Sequence, residues 1–127
     1  MCEGRTAVAK QLAPSLREAI PRIVEAAHPE AIVLFGSHAE DRASEESDLD
    51  LVVVARTNNH WRLAAELYLL WHQLRRDWPQ LPPADILVYT PRQFLLGLVV
   101  GFPAYIAAHH GVVLYGRLPE RCRKVAG

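Results

Sequence analysis

Apolar and polar residues fall into blocks along this chain, and each block carries the period of one secondary-structure element. Leu12, Leu16, Ile20, Ile23 and Val24 recur at helical spacing, and Ser15 with Glu18 three residues later has the form of a capping box. Pro21 lies inside that pattern, which predicts a kink or two short helices, and His28-Pro29 ends it. Ala31 to Phe35 (AIVLF) is a short apolar run closed by Gly36, the signature of a buried strand. Ser37 to Ser47 is polar and dominated by acids, with room for a helix starting just after Gly36-Ser37. Asp48 to Ala55 (DLDLVVVA) predicts a second strand, ending in the turn residues Thr57-Asn58-Asn59.

From about His60 to Trp78, Leu63, Leu67, Leu70, Trp71, Leu74 and Trp78 return at helical intervals, so a long amphipathic helix is expected there. Pro79, Pro82 and Pro83 stop it, and Ala84 to Tyr89 (ADILVY) reads as a third strand. Thr90 then serves as N-cap and Pro91 as the first residue of another helix. A last short helix follows Gly101 and Pro103 and reaches about His109. Gly111 turns the chain into a fourth strand, Val112 to Tyr115. The order α-β-α-β-α-β-α-α-β predicts an α/β protein with helices packed on a small sheet.

Composition narrows this only slightly. A chain of 127 residues fits one domain, 1–127, and leaves no room for a separate substrate domain. The formal charge is zero, so nothing global points to a nucleic-acid backbone or an anionic membrane. Zero net charge also gives little protection against association, which favours a complex, with a partner or with a second copy. No apolar run is long enough to span a bilayer, and the N-terminus lacks a signal-peptide core. Cys2 and Cys122, far apart and without metal-ligand spacing, read as free thiols of a cytoplasmic protein.

The chemistry concentrates in three places. Gly36 lets the backbone approach a ligand closely, and a helix starting beyond Ser37 would offer free N–H groups to a phosphate. Asp48 and Asp50, two apart on a strand, project side by side while Leu49 and Leu51 turn into the core. Val52, Val53 and Val54 follow at once, so that strand is buried on both faces and its acids stand at the edge of a core. Carboxylates this close repel unless a cation lies between them or one takes up a proton, and closely spaced hard oxygens suit Mg²⁺. Asp85, early in the third strand, completes a three-carboxylate cluster if that strand lies beside the second.

With these residues in place, LFGSHAEDRASEESDLDLVVV and the later ADILVY resemble the nucleotidyltransferases of DNA polymerase β type. The match is closest to the minimal nucleotidyltransferases, short catalytic domains commonly encoded beside a HEPN-domain protein. The resemblance implies a palm-like fold, with a small mixed sheet flanked by helices. It implies that Gly36 and Ser37 hold the β- and γ-phosphates of ATP, that Asp48 and Asp50 bind two Mg²⁺ ions, and that Asp85 binds the catalytic one. Two such ions can stabilise both the attacking and the leaving oxygen of an in-line displacement.

It further implies an antitoxin that adenylylates a tyrosine hydroxyl of a partner HEPN toxin. Two alternatives stand beside it: neutralisation of the partner by contact alone, and nucleotidylation of a small molecule such as an aminoglycoside. The family usually reads Gly-Ser-x-Ala-Arg-Gly, whereas this chain has Glu40 and Asp41 where a base and a glycine are common. From Glu40 to Asp50 there are six acids and one arginine, Arg42, an unfavourable setting for a triphosphate without metal.

Other signals are set aside. The six histidines show no zinc spacing. Trp71 and Trp78 share a helix face and are expected in the core, whereas Gly101-Phe102-Pro103 with Tyr105 and Ile106 read either as core or as an exposed apolar patch, a candidate partner surface. Arg75-Arg76 and the C-terminal Arg117, Arg121, Arg123 and Lys124 read as solvated charges.

Overall fold

A computed structural model describes residues 7–36, 39 and 48–120. It contains α1 (Ala7–Ala27), β1 (Ala31–Phe35), β2 (Leu49–Val54), α2 (His60–Asp77), β3 (Ala84–Tyr89), α3 (Pro91–Leu96), α4 (Pro103–His110) and β4 (Val112–Gly116). The four strands form one mixed sheet in the order β3-β2-β1-β4. β1 runs antiparallel to both β2 and β4, while β2 and β3 are parallel and joined through α2. The helix expected after Gly36-Ser37 lies outside the described residues.

The predicted faces are the observed ones. Leu49, Leu51 and Val53 join Ile32 and Leu34 against α1 and α2, whose Leu16, Ala19, Ile23, Leu63, Leu67 and Leu74 close the larger core layer. Val52 and Val54, with Ala31, Val33 and Phe35, form the second layer under Phe94 of α3 and Ala104 and Ala107 of α4. Trp71 is buried in the first layer, and its indole N–H donates to the Pro82 carbonyl at 2.9 Å. That bond ties the end of α2 to the Pro-Pro entry of β3. The two readings of the Phe102 region divide: Phe102 is exposed, as are Leu96, Val99 and Val100 before it, whereas Ile106 packs on the second layer.

One local expectation is corrected at α1, and a second is narrowed. The helix already runs from Ala7, so Ser15 and Glu18 stand inside it and mark no N-terminus. Pro21 does not divide it. The proline is exposed and the carbonyl it leaves unpaired belongs to the exposed Arg17, so water can take the place of the missing N–H. The helix ends as expected at His28, which has φ +48 and donates its N–H to the Val24 carbonyl at 2.8 Å. A non-glycine residue is strained in this left-handed terminating position. His28→Gly is therefore expected to stabilise the fold by about 0.5–1 kcal/mol, read as a rise of a few degrees in melting temperature.

Thr90 caps α3 as predicted, and the structure adds its partner. Thr90 Oγ1 accepts the Gln93 N–H at 3.1 Å while Gln93 Oε1 accepts the Thr90 N–H at 2.9 Å, a complete capping box. No helix among the described residues is long and apolar enough to cross a membrane.

Candidate active site

Strand directions bring the three motif regions to one end of the sheet. Because β1 is antiparallel to β2, its last residue Phe35 pairs with Asp50 at the start of β2. Because β3 is parallel to β2, its second residue Asp85 is the register partner of Asp50. Register partners on parallel strands show their side chains on the same face, with the strands about 5 Å apart. The Leu49 N–H donates to the Pro83 carbonyl at 2.9 Å, which pins the entry of β3 beside the entry of β2. The neighbouring pair, Leu49 and Ala84, turns to the opposite face and is buried.

Asp50 is half-buried, whereas Asp85 and Asp48 are exposed. Asp48 stands one residue before β2, on the approach to the pair. Among the described residues no three His, Cys, Asp or Glu side chains form a ready-made metal cage. What the fold fixes is the Asp50–Asp85 pair, with Asp50 also engaged by a polar partner within the protein. This donor set fits Mg²⁺. The ion takes one or two carboxylates and fills its remaining positions with water and substrate phosphate oxygens, so it does not require a closed protein cage.

Gly36 is the third component, and glycine is needed there twice over. Its φ is +82, and a Cβ built on it would collide with Asp50 Oδ2 and lie 3.2 Å from Asp50 Cγ. The Asp50 carboxylate thus lies across the bare backbone of Gly36, which ties the turn after β1 to the carboxylate pair. Gly36→Ala is expected to destabilise the fold by about 1–3 kcal/mol. It would also displace Asp50, lowering any metal-dependent turnover by about 10²-fold. Chemical denaturation and a turnover assay on the same preparation read the two effects separately. Ser37, Glu40 and Asp41 lie outside the described residues.

At the other end of β3, Tyr89 meets Phe94 edge-on with ring centroids 5.9 Å apart, and burial pushes its hydroxyl pKa up from the usual value. Sequence reasoning missed two exposed residues of this region, Leu87 on β3 and Trp61 beside it in the first turn of α2. The available signal was that Trp61 falls off the Leu63–Leu67–Trp71–Leu74 stripe at the start of α2.

A mixed four-stranded sheet with helices on both faces, and acids aligned at the entries of two adjacent parallel strands, is the arrangement of a nucleotidyltransferase domain. The family model "Polymerase beta, Nucleotidyltransferase" matches residues 18–93, and the chain belongs to that family. The match takes in Gly36, Asp48, Asp50 and Asp85. Among solved structures, a candidate nucleotidyltransferase from Sulfolobus solfataricus shares the fold with a TM-score of 0.55 at 15% identity, over 92% of this chain and 93% of that one. A toxin–antitoxin complex crystallised with AMP-PNP contains a chain of the same fold, with a TM-score of 0.51 at 20% identity, over 79% of this chain and 73% of that one. No curated protein matches in sequence.

Proposed function

We propose that this chain is a Mg²⁺-dependent adenylyltransferase that moves AMP from ATP onto a tyrosine hydroxyl of a HEPN-domain partner, and so acts as an antitoxin in the cytoplasm. The observation that carries this reading is the register pairing of Asp50 with Asp85, with Gly36 packed against the Asp50 carboxylate. The resemblance to minimal nucleotidyltransferases supports the partner, and the AMP-PNP complex of the same fold supports adenosine triphosphate as donor.

In this reading Asp48 and Asp50 would hold two Mg²⁺ ions, and Asp85 would share the one next to the acceptor hydroxyl. Bound Mg²⁺ neutralises the triphosphate and stabilises the charge developing on the attacking and leaving oxygens. Gly36 and Ser37 offer backbone to the β- and γ-phosphates. Asp85, exposed on the outermost strand, orients the acceptor hydroxyl and receives its proton. The hydroxyl oxygen bonds to the α-phosphorus, the bond from that phosphorus to the bridging oxygen breaks, and pyrophosphate leaves.

Incubation with the HEPN-domain protein, ATP labelled at the α-phosphate and Mg²⁺ tests the reading. Label should appear on a partner tyrosine with the wild type and be absent with Asp48→Ala/Asp50→Ala. A second reading, neutralisation by contact alone, is favoured by Glu40 and Asp41 standing where the family commonly carries a base and a glycine. It would be upheld if wild type and double variant silenced the partner equally and no label moved.

A further inference from the structure

β3 is the outermost strand of the sheet, and its hydrogen bonds show which of its residues turn outward. The Leu49 N–H bonds to the Pro83 carbonyl and the Ala55 N–H to the Tyr89 carbonyl, each at 2.9 Å. On a parallel strand, backbone groups alternate between the two sides. Residues 83, 85, 87 and 89 therefore address β2, and the N–H and C=O groups of Ile86 and Val88 point away from the sheet. Among the described residues, no loop or cap bonds to those groups. Apart from the charge of Asp85, the edge carries little to blunt it. Six consecutive residues, Ala84 to Tyr89, pair with β2 in unbroken register without a bulge, and they contain neither Pro nor Lys. Native edges of this kind are normally covered or paired.

Beside this edge lies a cleft of about 380 Å³, mostly apolar, between β3 and the first turn of α2. Trp61, 77% exposed, and Leu87, 36% exposed, line it with Tyr89 and Gln93. Its polar corner is preset: Gln93 accepts from the Thr90 N–H through Oε1 and, through Nε2, donates to His60 Nδ1 at 3.3 Å. A protruding tryptophan beside an apolar slot is the form of an anchor for one side chain of a partner.

Cleft and carboxylates lie along the same strand: the cleft wraps the edge, lined by Ile86 and Val88 of the α2 face and by Leu87 and Tyr89 of the face that carries Asp85. Asp85, Leu87 and Tyr89 project the same way at steps of about 7 Å. We propose that β3 is the docking strand for the acceptor protein: an extended segment adds to the sheet by bonding to Ile86 and Val88, places an apolar side chain in the Trp61–Leu87 cleft, and so sets its acceptor hydroxyl beside Asp85. Evenly spaced outward N–H and C=O groups are matched by another extended main chain, which makes a polypeptide the fitting occupant. A residue of that strand in register with Asp85 would show its side chain on the same face, about 5 Å away. The inference rests on the acceptor being a protein, as proposed above, and it names the surface that presents it.

Binding is tested without ATP, so that its result is independent of transfer. The HEPN-domain protein is the probe, read by hydrogen–deuterium exchange and by affinity. The amides of Ile86 and Val88 are expected to become slow-exchanging on binding. Trp61→Ala, a change at an exposed position, should weaken binding about tenfold or more, as should Ile86→Pro, which removes an outward N–H. Tyr68→Ala, at an exposed position on α2 that does not line the cleft, should leave affinity unchanged. Should Ile86→Pro fail to fold, Trp61→Ala and the exchange data still decide. Protection elsewhere with β3 amides unchanged overturns the proposal, as does a chain that alone forms a dimer protected along β3. Binding with β3 protection but no label transfer would reject the chemistry and keep the docking strand. Label transfer without β3 protection would do the reverse.

Discussion

Asp50→Asn is expected to lower AMP transfer by about 10³-fold, a loss of roughly 4 kcal/mol of transition-state stabilisation, while the protein stays folded. The change is nearly isosteric, and the strand pairing of Asp50 with Phe35 and Asp85 is made by backbone groups that the substitution leaves in place. What is lost is one of the two charged oxygen donors that the register holds together. Asn offers a neutral carbonyl in its place, a much weaker ligand for a hard dication. The loss should fall on turnover at saturating partner, with docking retained, because the docking edge of β3 does not involve Asp50. Asp85→Asn should match it, since the fold pairs the two carboxylates. Turnover within a few-fold of wild type for either variant would remove the pair from the chemistry.

The largest effect on stability is expected at Trp71, far from the carboxylates. Its side chain is 2% exposed within the layer formed by α1, α2 and the sheet. Trp71→Ala leaves a cavity costing about 3–5 kcal/mol, and the Pro82 carbonyl loses the indole donor, about 1 kcal/mol more. A domain of this size has about 5–15 kcal/mol in total, so the variant should melt many degrees lower. Trp71→Phe, which keeps most of the volume and drops the hydrogen bond, should cost much less. Because Pro82 leads into β3, the alanine variant should also loosen the alignment of Asp85 with Asp50. Thermal melts of the two variants separate packing from hydrogen bonding.

Much of this architecture could be read from the residues. The period-two pattern of DLDLVVVA put Leu49 and Leu51 in the core and left Asp50 on the other face, as observed. The run Val52-Val53-Val54 predicted a strand buried on both faces, and all three valines are buried. Thr90-Pro91 marked the start of α3 because an N-cap and a fixed proline φ act locally. Ser15 and Glu18 misled for the converse reason. Their spacing also suits two residues inside a helix, and nothing local shows that α1 began at Ala7.

What could not be read is long-range. Whether Asp85 meets Asp50, or a residue two places away, depends on the span of α2 and on the Pro82-Pro83 entry, and a shift of one residue would have sent Asp85 into the core. The same limit hid the cleft at Trp61. That cleft exists only because β3 is the outermost strand and the first turn of α2 lies beside it. The acidic stretch behind Gly36 was legible as a departure from the family, and Glu40 and Asp41 lie outside the described residues.

The central claim is that Asp50 and Asp85 together make nucleotide binding depend on a divalent metal. Titration of a non-hydrolysable ATP analogue into the protein, with Mg²⁺ or with chelator, measures this directly. Binding is expected with Mg²⁺ in the wild type, and is expected to vanish with chelator and in both Asp50→Asn and Asp85→Asn. Equal affinity with and without metal, or unchanged affinity in the two variants, would contradict it.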